Sequence, residues 1–307
     1  MRLAPIVALG LLACRSPDGA SGAPIDAPAD APGGLQVRAA TFNVRRFFDT
    51  VCESGACEGG DYEALASPAV FEARADQIAR AIRGLGADVV ALEEVETQAC
   101  LDALLARLAD VLPHGVLGEI ASPGSVDVAV LSRTPLERVT GHRAAEVLTR
   151  PDGTTTLFSR ELLEVEVRIE GAPVVRFAAH FRSKVNDDPG RRLAEAQAAR
   201  RLVLASAAVA PAALVVLGGD LNDVPGSLPL TALTGDGGLV RVADDLPEGE
   251  QATYMYAGRG QAIDHLLLAP SAAVVRVPRS ARVWREDTGY GGSDHYALTA
   301  EFRFTAE

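Results

Sequence analysis

Two packed, mixed β-sheets with helices outside them, an α+β architecture, is what the sequence predicts, and three observations point there. Runs such as Val89–Leu92 and Leu214–Leu217 are continuously apolar, as strands covered on both faces must be. Hairpin-like pairs of such runs are mixed with single helices, which argues against a doubly wound parallel sheet. With 307 residues, 48% of them hydrophobic, the chain can bury a full core between such layers.

The elements follow in order. Arg2 precedes an apolar run, Leu3 to Leu12, too short to span a bilayer but suited to the hydrophobic region of an export signal. It ends in Leu11-Leu12-Ala13-Cys14, which resembles a bacterial lipobox. Residues 1–13 are therefore expected to be a signal peptide and Cys14 the lipidated residue that tethers the protein to the cell envelope. An ordinary cleaved signal with an incidental cysteine is the alternative. Residues 14–34 are almost entirely Ala, Pro, Gly, Ser and Asp, a composition that cannot offset its ordering entropy by burial, and read as a flexible tether. No internal repeat or second linker follows, so residues 35–307 form one expected domain.

Leu35–Val44 reads as the first strand. Ser67-Pro68 supplies an N-cap and a first-turn proline to a helix whose apolar positions Val70, Ile78, Ala81, Ile82 and Leu85 recur at helical spacing until Gly84 and Gly86. Val89–Leu92 is a buried strand and Ala99–Val111 a second helix. Strands are expected at Val126–Leu131, Leu162–Ile169 and Val174–Phe181, then a long helix from Asp188-Pro189 to about Ala208. Leu214–Leu217, Ile263–Leu268, Val274–Trp284 and Ala297–Phe304 complete the strands.

A formal charge of −12 repels polyanions at long range and excludes tight nucleic-acid binding by a broad basic face. In an exported protein, Cys52, Cys57 and Cys100 allow one disulfide. Cys52 and Cys57, flanking a small loop with Gly55, are the preferred pair, although Cys100 could join either. No adjacent histidine completes a zinc-like set.

Chemistry-bearing residues stand where apolar strands end. Thr41-Phe42-Asn43 closes the first strand, and Glu93-Glu94 closes the run from Asp88. His180 ends the run from Val174, and Asp220 with Asn222 lies in Gly218-Gly219-Asp220-Leu221-Asn222-Asp223. Asp264 sits in Ala262-Ile263-Asp264-His265, and Ser293-Asp294-His295 precedes the last strand. An isolated Asp or Asn after a strand is usually a turn residue. Six such sites rich in oxygen ligands instead suit Mg²⁺, with Mn²⁺ or Ca²⁺ as alternatives, and the water activation that phosphoester hydrolysis needs.

In order and wording these motifs resemble the endonuclease/exonuclease/phosphatase superfamily, from about Ala39 to Phe304. The resemblance implies a four-layered αββα sandwich. It also implies that Glu94, with Asn43 beside it and Asp294 as a second acid, holds the catalytic metal. Asp220 would orient or deprotonate the attacking water, with Asn222 near the scissile phosphate. His295, held by Asp264, and His180 would contact the phosphate, and Phe158-Ser159-Arg160 resembles the phosphate-binding arginine segment of pancreatic-type deoxyribonucleases. Glu93 stands where the family usually has Gln, which places an extra charge near Glu94. Strand alternation turns His265 away from Asp264, toward a structural role. His114 and His142 read as surface or turn residues, and Glu96, Asp127 and Asp223 as caps or turn acids.

The leading expectation is an exported metal-dependent phosphodiesterase acting on nucleic acid such as extracellular DNA or RNA. A phospholipid or small-molecule phosphodiesterase or phosphatase is the rival, against which the sequence shows no exposed aromatic hairpin. A non-catalytic binding lipoprotein on the same fold is the reading of another class. No obligate protein partner is indicated.

Overall fold

The computed structural model describes residues 34–305 apart from 288; the expected leader, Cys14 and the tether up to residue 33 lie outside them. In chain order the described elements are β1 (Gln36–Phe47), α1 (Pro68–Leu85), β2 (Val89–Val95), α2 (Gln98–Leu108), β3 (His114–Gly118), β4 (Asp127–Ser132), β5 (Leu136–Gly141), β6 (Leu148–Thr149) and β7 (Thr155–Thr156). They continue as β8 (Leu163–Ile169), β9 (Ala172–His180), α3 (Pro189–Val209), β10 (Leu214–Asp220), α4 (Leu228–Thr234), β11 (Val240–Arg241), β12 (Tyr254–Tyr256) and β13 (Arg259–Gln261). β14 (Asp264–Leu268), β15 (Val274–Arg276), β16 (Arg282–Trp284) and β17 (Ala297–Phe304) end the fold.

Most strands form two mixed sheets, ordered β15-β17-β1-β2-β4-β3, with β16 also on β17, and β11-β14-β10-β9-β8-β5, while β6-β7 and β12-β13 are separate two-stranded ribbons. Their inner faces share one core, in which Val37, Ala39, Ala91, Val130, Val165, Val216, Leu266 and Leu298 are buried. Each fully buried Val or Leu contributes roughly 1.5–3 kcal/mol. Ile78, Ile82 and Leu85 of α1 and Leu101 and Leu104 of α2 cover the outer face of the first sheet at Phe42 and Leu92. Ala196, Ala199 and Val203 of α3, with Leu230 and Leu233 of α4, cover the second at Phe177 and Leu217. The result is the expected αββα sandwich.

Helix starts follow the sequence signals. Ser67 accepts from the Val70 N–H at 3.4 Å and Asp188 from the Arg191 N–H at 2.9 Å, each followed by proline. Gly86, at φ 58°, caps α1. Val70, expected on the helix's apolar stripe, is instead exposed.

The single strand expected over Val274–Trp284 is two. Pro278 offers no N–H, and Arg279 takes φ 59°, so the chain leaves the ladder after β15 and rejoins β17 as β16. Cys52 and Cys57 form the disulfide, and Cys100 is free and buried.

The pairing of strands places the site. β1 and β2 are parallel, β9 and β10 are parallel, and β14 runs antiparallel to β10. The last residues of four strands and the first of β14 therefore meet at one end of the sandwich. In that register Asp220 stands opposite both His180 and Asp264.

Candidate active site

Two adjacent bulges aim the first residues. The β1–β2 register shifts between Asn43 and Phe47, where Arg45 and Arg46 take φ 56° and 43°. The β2–β4 register shifts between Glu93 and Val95, and Glu94 takes φ 69°. Such a bulge adds a residue and re-aims a side chain. Glu94 consequently faces the strand ends, with its Oε1 accepting from Asn43 Nδ2 at 3.1 Å and its Oε2 from the Arg46 N–H at 2.8 Å.

Glu93 goes the other way. The expectation of extra charge beside Glu94 is corrected, because this carboxyl is buried between the sheets and accepts from Thr41 Oγ1 at 2.8 Å. Burial, reinforced by Asp264, holds it well above the usual carboxylate range, opposed by Thr41 and Arg176. Arg176, also wholly buried, donates to the carbonyls of Phe177 at 2.6 Å and of Ala40 at 3.0 Å, so it bridges the two sheets.

Asp220 is the hub. Its Oδ2 accepts from Asn43 Nδ2 at 3.1 Å and lies 3.7 Å from His180 Nε2 and 4.0 Å from His295 Nε2. Its Oδ1 accepts from the Asn222 N–H at 2.9 Å. Burial and Asp264 push the Asp220 carboxyl up to about 7, against the opposing pull of His295.

Gly219 makes the convergence possible. At φ 153°, a Cβ here would lie 1.8 Å from the Ala179 carbonyl oxygen, in the strand that carries His180. Asn222, at φ 53°, donates from Nδ2 to the Phe181 carbonyl at 3.1 Å.

His295 Nδ1 lies 3.0 Å from Asp264 Oδ2 and 3.2 Å from Oδ1. Burial pulls its imidazolium down, but Asp264 and then Asp220 and Glu94 outweigh it and raise it to about 10. His180 is different: burial, with Arg160 and His295 nearby, holds it well below 6.5, so it is neutral. One imidazole is thus a fixed cation and the other a neutral donor or acceptor.

Asp294, expected at the metal, pairs with Arg45 at 3.4 Å and is partly exposed. Ser293 Oγ donates to the Asn43 carbonyl at 2.7 Å and accepts from the His295 N–H at 3.0 Å, tying the late motif to β1. Arg160 donates from Nε to the Val126 carbonyl at 3.3 Å, at the site's edge near His180.

The donors fit a hard divalent cation. Glu94, His180 and Asp220 offer ligand atoms within 4.8 Å of one another. Nδ1 of buried His180 has no hydrogen-bond partner among the described residues.

Several contributors carry no sequence signal of their own. Buried Glu195 of α3 accepts from the Ser159 N–H at 2.6 Å and the Arg182 N–H at 2.7 Å, fixing the loop that carries Arg160. Thr253 Oγ1 accepts from the Asp264 N–H at 2.9 Å, and the Tyr254 ring lies 4.8 Å from that of His295.

Tyr254 belongs to the β12–β13 hairpin, whose Met255 and Tyr256 are exposed, which corrects the expectation that no exposed aromatic hairpin is present. Its strands of three residues are too short to show a period. His265 is structural as expected, accepting from Arg241 Nε at 3.0 Å. His142, expected as a surface or turn residue, opens a turn whose Ala145 N–H donates to its carbonyl at 3.2 Å, but its side chain is half-buried, with Nε2 2.8 Å from Glu164 and the ring stacked 5.9 Å from Phe177.

The Endonuclease/Exonuclease/phosphatase family model matches residues 40–295, a span that holds every one of these strand-end residues. The chain belongs to that family. Its members are phosphoester hydrolases and generally depend on divalent metals. A comparison with curated proteins gives no match.

Among solved structures, an endonuclease/exonuclease/phosphatase from Beutenbergia cavernae superposes with TM-score 0.61 at 23% identity, over 88% of this chain and 72% of that one. D. rerio TDP2 complexed with single strand DNA product gives 0.58 at 19%, covering 87% and 99%. Beta toxin from Staphylococcus aureus gives 0.56 at 18%, covering 86% and 99%. At these identities the likenesses concern the fold.

Proposed function

We propose that the protein is an exported, Mg²⁺-dependent phosphodiesterase whose first substrate class is nucleic acid. The observation that carries the reading is the convergence on Asp220 Oδ2 of His180 Nε2 at 3.7 Å and of His295 Nε2 at 4.0 Å, the second imidazole being held at Nδ1 by Asp264. Asp220, with Asn43 fixing its Oδ2, accepts the proton of the attacking water. The His295 imidazolium, kept charged by Asp264, stabilises the charge that builds on the phosphate oxygens. His180 and Asn222 orient the phosphate, and Arg160 adds positive charge at its edge. Glu94, with Asn43 and Asp294 beside it, would hold the metal, which would supply neutralisation of phosphate charge.

Export and lipidation at Cys14 are supported by the Leu11-Leu12-Ala13-Cys14 sequence and by the Cys52–Cys57 disulfide, a bond of oxidising compartments. The single-strand DNA product on D. rerio TDP2 favours nucleic acid. The exposed Met255 and Tyr256 favour a second reading, a phospholipid diesterase.

Plasmid DNA, single-stranded RNA, phosphatidylcholine vesicles and p-nitrophenyl phosphate, each with Mg²⁺, separate these readings. Turnover of nucleic acid supports the first, whereas turnover of vesicles alone overturns it in favour of the second.

A further inference from the structure

The segment between β1 and α1 contributes nothing to the chemistry above, yet it is built to hold one side chain in place. The Cys52–Cys57 disulfide closes it on itself. The carboxylate of Glu63, 2% exposed, accepts from the N–H groups of Glu53 and Ser54, both at 2.7 Å. Its base is fixed where the Asp49 N–H donates to Glu96 Oε2 at 2.7 Å and the Ala66 N–H to the Asp49 carbonyl at 3.3 Å. A disulfide and a buried carboxylate that accepts from two N–H groups hold this loop in one conformation.

What they hold is Tyr62, the residue before Glu63. Its ring packs edge-on against Phe48 at 5.9 Å, and the Arg46 guanidinium lies 4.5 Å over it. The backbone N–H of the same Arg46 donates to Glu94 Oε2 at 2.8 Å, so the ring beneath that guanidinium lies next to the site's anchor acid. Despite these neighbours Tyr62 is 47% exposed. The site is therefore bordered by an exposed, firmly held aromatic ring with the Arg46 guanidinium over one face.

Resting on the phosphodiesterase reading, we propose that Tyr62 is the specificity residue of this enzyme: a stacking platform, on the face that Arg46 leaves open, for the nucleoside attached to the scissile phosphate, with Arg160 serving the phosphate. A fixed aromatic face recognises any base without reading its edge and loses little entropy on binding. It suits a nucleotide diester better than one carrying a small alkyl group. It also lets an acidic protein bind nucleic acid locally without a broad basic face.

Three diesters sharing one leaving group test this: thymidine 5′-(p-nitrophenyl phosphate), methyl p-nitrophenyl phosphate and p-nitrophenyl phosphorylcholine, with Mg²⁺. Tyr62→Ala is expected to lower the thymidine-to-methyl ratio of kcat/KM by roughly 10-fold, mostly through KM, and Tyr62→Phe to hold it within about 2-fold. An unchanged ratio in Tyr62→Ala overturns the assignment, as does a loss confined to the phosphorylcholine diester, which would mark a choline site. A wild-type enzyme that turns over none of the three contradicts the phosphodiesterase reading and this assignment with it, whereas turnover with an unchanged ratio contradicts Tyr62 alone.

Discussion

Asp264 and His295 meet at 3.0 Å in a buried setting, with Nδ1 against Asp264 and Nε2 turned toward Asp220. The pair fixes both the ring's orientation and its charge, and Asp264 is itself held by Thr253. Asp264→Asn keeps the shape but removes the charge that offsets burial of the imidazolium. In the wild type His295 is raised to about 10, so its cation persists across the neutral range. In the variant it deprotonates near or below its ordinary 6.5, and the alkaline limb of kcat/KM moves from around 10 toward neutral pH. Activity at pH 8 falls by about 10²–10⁴-fold. Initial rates across pH 5–10.5 check this, and a coincident alkaline limb in both proteins would contradict it.

Gly219 holds the register that sets His180 opposite Asp220. Gly219→Ala drives a Cβ into the Ala179 carbonyl and strains a backbone at φ 153°. We expect a loss of about 3 kcal/mol or more, together with loss of activity. Gly226→Ala, at φ 83° with open space around its Cβ, is expected to cost about 1 kcal/mol. Urea titration of both variants is the measurement, and equal midpoints would refute the difference.

How far the sequence reveals this arrangement depends on range. Asn43, Asp220, Asp264 and His295 are visible because each ends or begins an apolar run, and parallel pairing brings such ends together. The orientation of Glu93 and Glu94 is hidden, because a bulge at φ 69° breaks the alternation that sequence reading relies on. Glu195 is hidden in a helix whose buried face is mostly alanine, so a carboxylate there looks solvated. Tyr62 and the β12–β13 hairpin lie in segments too irregular or too short to carry a period, and their nearness to the site comes wholly from tertiary packing.

His265 makes the stability pH-dependent. Burial, then Arg241, lowers its imidazole to about 3, with the Asp223 carbonyl 2.9 Å from Nε2 opposing. The unfolded state takes up a proton below its ordinary 6.5, whereas the folded state does not until about 3. The stability held by neutral His265 is therefore complete above 6.5 and lost progressively as pH falls toward 3. His265→Gln removes this contribution, so wild type should lose on the order of 2–4 kcal/mol more than the variant between pH 7 and pH 4. Thermal melts at both pH values report it. Parallel losses would show that the imidazole is not the responsible group.

Asp220 as the proton acceptor beside a metal is the central claim, and turnover of bis-p-nitrophenyl phosphate tests it most directly. Wild-type turnover should vanish on chelation and return with Mg²⁺. Asp220→Asn, compared at equal thermal stability, should lower kcat by about 10³-fold or more with Mg²⁺ present. Turnover that survives chelation, or an Asp220→Asn variant as fast as wild type, would contradict the account.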